Sequence, residues 1–374
     1  MTDIASPISS EDDGPAAVDK GINWGRIGLG IAAALFLVMV VYATFSDMDG
    51  QGLLENTLRG LFGEQFIYFG LAALGLNIHF GYTGLLNFGQ AVFMAAGAYG
   101  LSIFVVVYDW SFFSAVFMGV VVLPIVLALL LGVPTLRLRA DYLAIVTIAT
   151  AEMFRIIARS PRFDWLTGSS DGHGEFADRF YELSPFEPDQ RYLFDLFIGN
   201  QMWVVLVGWV VLFAMVGVVY TLMRSPWGRV LKAIREDEDA ARSLGKNAYF
   251  YKMQALMLGG MIGAMGGMLR AIGTQSAQPQ NFITDVTFFA WVALILGGVG
   301  KTWGPVIGAS LLYGLINFTD FFLRDQDFVP EGLMDGTQVG QVRFILIGVG
   351  LVLLAVFRPQ GIFGSREEMA LDDR

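Results

Sequence analysis

The chain has 374 residues, 55% of them hydrophobic and only 16% charged, with a mean hydropathy of +0.57. That is more apolar surface than a water-soluble core of this size needs, so an ordinary soluble domain is excluded and an all-α, polytopic membrane protein is implied. The lack of cysteine excludes disulfides and thiolate chemistry, the two histidines His79 and His173 exclude a His-rich metal site, and a net charge of -10 held mostly in tails and loops suggests no nucleic-acid partner.

Residues 1–20 place five acids, Asp3, Glu11, Asp12, Asp13 and Asp19, against Lys20 without a periodic apolar face. With the next four residues they predict a disordered cytoplasmic tail, 1–24. Residues 27–45 are apolar and, at 1.5 Å per residue, about 28 Å long, which predicts the first span. A second, shorter apolar segment covers 66–80, followed by GYTGLLNFGQ and a small-residue helix over 91–107. Gly81, Gly84 and Gly89 interrupt this block, and Asn77, His79, Thr83, Asn87 and Gln90 crowd the interruption. Polar groups at membrane depth are tolerated only where protein or a water-filled cavity satisfies them. Asn77, Thr83, Gly84, Asn87, Gly89 and Gln90 are therefore the candidate substrate path, with a cytoplasmic turn between two spans as the alternative.

Residues 112–133 predict a span kinked at Pro124, the basic turn 136–139 returns the chain to the cytoplasm, and 142–157 crosses outward. Glu152 and Arg155 can pair on one face of that helix, and Glu152 is nearly the only acid close to a span interior. Residues 159–200 carry eight acids against four arginines and predict an external loop, 202–223 returns inward, and 253–272 leaves again. In the latter, Gly259, Gly263 and Gly267 form a small-residue ridge for close helix packing, within the chain or across a subunit interface. Residues 285–299 cross inward to GGVGKTWGP, where Gly300-Lys301-Thr302 is not a phosphate loop, because Ile295 stands where its first glycine belongs and an apolar helix precedes it. Spans at 305–322 and 342–357, with the acidic loop of Asp325, Asp327, Glu331 and Asp335 between them, complete about ten. A membrane domain over 25–358, a cytoplasmic tail over 359–374 and both termini on the cytoplasmic side follow. Gly89 to Gly100 and Gly304 to Gly314 faintly echo each other, as two related halves would.

Residues 224–252 are the one long charge-dense segment between two apolar ones, with seven basic residues against four acidic, which predicts a cytoplasmic loop. Val230, Leu231, Ile234, Ala240, Ala241 and Leu244 recur at helical spacing and Gly245 supplies a stop, so a short surface helix is expected. Asp239-Ala240-Ala241-x3-Gly245 resembles the EAA-x3-G motif of bacterial ABC-transporter permeases, with Asp239 in place of the usual Glu and with Ala255, Met257 and Leu258 where I-x-L-P would continue. In that resemblance Arg235, Glu238, Asp239, Ala240, Ala241 and Gly245 couple the chain to an ATPase.

The stretch LRLRADYLAIVTIATAEMFRII is similar to the LivH/LivM permease family of branched-chain amino acid ABC importers, in particular to its LivM type. The likeness extends to GYTGLLNFGQ, DWLTGSSDG, GRVLKAIREDEDAARSLG, LILGGVGKTWGPVIGA and RPQGIFG, which together cover most of the chain. The resemblance implies a permease subunit rather than an enzyme, in a bacterial cytoplasmic (inner) membrane. Its implied partners are a LivH-type second permease, two ATPase subunits that use the ATP, an extracytoplasmic binding protein and the lipid bilayer; it implies no cofactor on this chain. A urea-importer permease and a stand-alone ion-coupled carrier are the alternative readings.

Overall fold

The computed structural model describes residues 50–136, 140–193 and 196–324, with isolated positions between 341 and 362. The predicted tails, the first span at 27–45, the last at 342–357 and the basic turn at 137–139 lie wholly or mostly outside these residues. Among the described residues six helices are long and apolar enough to cross a membrane, and 90–106 forms a shorter apolar one. The architecture is helical throughout, save for one two-residue antiparallel pair.

Helix α1 (Gly50–Phe62) and α2 (Glu64–Leu76) join at Gly63, so the second span begins well before residue 66 and takes Glu64 into the helix. α2 ends in a π-helical turn, Asn77–Gly81. Helix α3 (Gln90–Val106) follows eight residues later. The next span is α4 (Phe112–Phe117), a π-turn over Met118–Val122, and α5 (Leu123–Thr135). Pro124 has no N–H to give to the turn before it, and the helix widens there, with Leu123 N donating to Met118 O. Helix α6 (Ala140–Arg159) holds the Arg155–Glu152 ion pair that its sequence spacing predicts.

Residues 160–193 and 196–198 hold helices α7 (Asp164–Thr167) and α8 (Asp178–Glu182) and the strands β1 (Arg191–Tyr192) and β2 (Phe197–Ile198). Thr167 donates to Ala158 O, His173 bridges to Ala277, and Tyr181 Oη donates to Ile272 O at 2.7 Å. Burial pushes the Tyr181 phenol up to about 12, which keeps it a donor throughout the neutral range.

Helix α9 (Gly199–Arg224) leads into the charged loop. There the single expected helix is two, α10 (Pro226–Glu236) and α11 (Glu238–Ser243), because Asp237 is extended and its side chain accepts from Ala240 N at 2.9 Å as an N-cap. The expected stop forms at Gly245, at φ +77°, with Gly245 N donating to Arg242 O and Lys246 N to Ala241 O in a Schellman closure. Helix α12 (Ala248–Thr274) is the axis of the fold, packed on α2, α3 and α5. Helices α13 (Thr284–Gly297) and α14 (Gly304–Arg324) pack on one another, with α14 also against α1 and α2. Gly361 of RPQGIFG closes on the end of α13, where Ile362 N donates to Leu296 O at 3.0 Å.

Candidate functional site

The ridge on α12 sets the geometry of the site. A Cβ on Gly259 would lie 2.3 Å from His79 Nε2, one on Gly263 2.2 Å from Gln90 Nε2, and one on Gly267 2.0 Å from Met94 O. Hydrogen in place of a side chain thus lets α12 approach the end of α2 and the start of α3 within the chain. His79 meets Leu256 O about 12 Å along α12, at eight residues from its start and 1.5 Å per residue.

Between the π-turn and α3 the backbone gives up its helical bonds, and side chains replace them. Asn77 holds two groups of the α13–α14 turn, its Nδ2 donating to Lys301 O and its Oδ1 accepting from Gly300 N, both at 2.9 Å. Thr83 Oγ1 donates back to Ile78 O. His79 Nε2 donates to Leu256 O, and its Nδ1 receives from Asn87 Nδ2 at 3.0 Å, which fixes the ring's tautomer. The Asn87 amide also donates to Gln90 Oε1 and accepts from Gly89 N, while Gln90 Nε2 reaches Ala72 O and Gly259 O. Asn77, His79, Asn87 and Gln90 are all fully buried. The six candidate path residues are therefore brought together, with the four polar side chains among them bonded inside the protein and Gly84 at φ +73° making the bend.

Three further residues belong to this knot and carry no motif of their own. Thr147 Oγ1 on α6 accepts from Phe88 N, Thr287 Oγ1 on α13 accepts from Ala91 N, and Trp291 Nε1 donates to Asn87 O. A threonine or tryptophan in an apolar helix is too common to mark them; only the fold brings them to the break.

The charged loop touches the same end. Arg235 Nη1 on α10 donates to Gly81 O at 2.5 Å, so this residue joins the loop to the π-turn. Glu238 accepts from Arg242 and pairs with Lys252 on α12, binding α11 to the axis helix. The two alanines divide: Ala241 packs inward with Ile234 and Ala248 at 3% exposure, whereas Asp239 and Ala240 face out. Leu244, expected on the apolar stripe, is 80% exposed instead, because the Schellman closure turns it away from the core.

Residues 61–336 match the family described as "Branched-chain amino acid transport system / permease component". The chain belongs to that family. It is 29% identical over 311 residues to the high-affinity branched-chain amino acid transport system permease protein LivM of Salmonella typhimurium, covering 78% of this chain and 67% of that protein. A probable LivM of Methanocaldococcus jannaschii is 26% identical over 346 residues, 80% of this chain and 92% of that protein. The nucleoside ABC transporter permease protein NupC of Lactococcus lactis is 33% identical over only 99 residues, 26% of this chain and 30% of that protein. No solved structure matches.

Proposed function

We propose that this permease component carries branched-chain amino acids into the cytoplasm across a bacterial inner membrane, beside a LivH-type second permease, two ATPase subunits and an extracytoplasmic binding protein. Amino-acid cargo is favoured over nucleosides because the LivM likeness spans 78% of the chain and the nucleoside-permease likeness 26%. The alternatives of a urea importer and a stand-alone carrier have no such support. The excess of basic residues in 224–252 supports a cytoplasmic loop there, and with it cytoplasmic termini.

The observation that carries the mechanism is the α10–α11 loop itself. It offers Leu244, Ala240 and Asp239 outward for an ATPase groove, and it is fastened inward at two points, Arg235 to Gly81 O and Glu238 to Lys252. A displacement of α10 and α11 by the ATPases then moves α12 through the ion pair and the broken end of α2 through Arg235, a rigid-body route to alternating access. Asn77, Thr83, Gly84, Asn87, Gly89 and Gln90 shape the path in this reading by holding the broken helices α2 and α3 in register. The test is Leu244→Asp. We expect normal insertion, ATPase subunits lost from the purified complex, and ATP-driven uptake of labelled leucine abolished; full ATPase recovery with full uptake would overturn the docking role.

A further inference from the structure

Three buried side-chain polar atoms lack a hydrogen-bond partner among the described residues: Arg59 Nε, Arg270 Nη1 and Tyr99 Oη. Two of the three are guanidinium nitrogens. Arg59 and Glu64 line one cleft among α1, α2, α9 and α14, whose walls also include the amides of Asn56, Gln65, Gln201 and Asn317 and the ring of Phe197. On its other side Glu64 accepts from Tyr68 Oη at 3.0 Å and lies against α12 at Gly273, where a Cβ would come within 2.9 Å of its Oε2. Arg270, one turn deeper on α12, sits between the rings of Phe69 and Phe282, its guanidinium 5.9 and 6.0 Å from their centroids. None of Arg59, Glu64 and Arg270 enters an ion pair among the described residues.

A guanidinium and a carboxylate that share a cleft without pairing each leave a charge open to a partner of opposite sign. The Arg59 guanidinium calls for an anionic acceptor and the Glu64 carboxylate on the same cleft for a cationic donor. A molecule carrying both charges a bond or two apart satisfies both. We propose that this cleft, at the opposite end of α2 from the polar knot, binds the zwitterionic head of an α-amino acid: Arg59 takes the carboxylate, Glu64 the ammonium, and Phe197 faces the apolar side chain, with Arg270 the next cation inward. The proposal rests on the amino-acid reading above and adds where the cargo first meets this chain and what is recognised. The head group is common to leucine, isoleucine and valine, so this cleft does not choose among them.

The test uses the complete transporter in lipid nanodiscs without its binding protein, titrated calorimetrically with leucine, with 4-methylpentanoate, which lacks the ammonium, and with isopentylamine, which lacks the carboxylate. Leucine should bind saturably and both analogues at least tenfold more weakly. Arg59→Gln and Glu64→Gln should each weaken leucine at least tenfold, with Arg59→Lys recovering part of the loss. Leucine binding that is absent, unchanged in both variants, or matched by 4-methylpentanoate overturns the site. The analogue series needs no variant, so it decides even if a substitution prevents assembly. Leucine uptake into proteoliposomes in the presence of the binding protein separates the two readings: uptake with a failed titration removes only the site, whereas no uptake removes the cargo assignment.

Discussion

The two ends of α2 treat polar groups in opposite ways. At one end Asn77, His79, Asn87 and Gln90 are fully buried and bonded to one another, to backbone and to the α13–α14 turn. At the other, Arg59 and Arg270 keep buried guanidinium nitrogens with no acceptor among the described residues, and Arg59 shares a cleft with Glu64. A closed network stabilises a fold, because each member would cost free energy if left alone in a low dielectric. An open one costs stability and is kept where something else completes it. The first end is thus built to hold a broken helix, the second to receive a charge.

The comparison breaks most sharply if the knot is overfilled. Gly263→Leu should have the largest effect, since even a Cβ would sit 2.2 Å from Gln90 Nε2, in an amide side chain tethered by hydrogen bonds to Asn87, Ala72 and Gly259. Overpacking of that kind costs about 3 kcal/mol. Thermal melting of the purified complex, followed by size-exclusion chromatography, should fall steeply; a melting temperature equal to wild type would mean that α12 does not pack there. Asn87→Ala comes next. It strands His79 Nδ1, Gln90 Oε1 and Gly89 N, at about 1–3 kcal/mol for an unsatisfied buried group. An Asn87→Ala protein as stable as wild type would show that the knot does not behave as a closed network.

The helical membrane fold was legible in the apolar runs of 202–223 and 253–272, whose helices are only a few residues longer, and the break at Gly81–Gly89 was legible because glycines and amides interrupt an apolar block. What was not legible came from tertiary placement. Thr147, Thr287 and Trp291 come from α6 and α13, 59, 196 and 204 residues away from their partners at Phe88, Ala91 and Asn87, and no local spacing announces them. Arg235 reads as one more cation on a soluble loop, yet its long side chain reaches a backbone oxygen in another element. Glu64 was missed for a different reason. The apolar run starts after it, at Phe66, whereas helix α2 starts with it, so a charge that a membrane reading should have singled out fell just outside the predicted span.

Arg235 sharpens the comparison from the loop side. Arg235→Ala removes a single charge-assisted hydrogen bond from an exposed residue, a loss of about 1 kcal/mol after allowance for solvent. Melting should shift little and ATPase subunits should co-purify undiminished, while leucine uptake per ATP hydrolysed falls severalfold. Arg235→Lys, which can still donate to Gly81 O, should recover part of it. Uptake per ATP equal to wild type in Arg235→Ala would leave the Glu238–Lys252 pair as the sole fastening of the loop.

The smallest expected change in stability is at the open end, and it is the more telling for being small. Arg59→Met keeps the length of the side chain and removes the charge. Were Arg59 part of a satisfied network like that of Asn87, the substitution would strand its partners and cost as much. Since its Nε has no partner and the residue enters no ion pair among the described residues, nothing is stranded. Replacing a half-buried, uncompensated cation by an apolar group of similar volume is neutral or stabilising. The melting temperature of Arg59→Met should therefore equal or exceed that of wild type, within about 0.5 kcal/mol on the destabilising side. A fall as large as that of Asn87→Ala would mean that Arg59 is held by a structural partner, and the contrast between the two ends of α2 would then reduce to two closed networks.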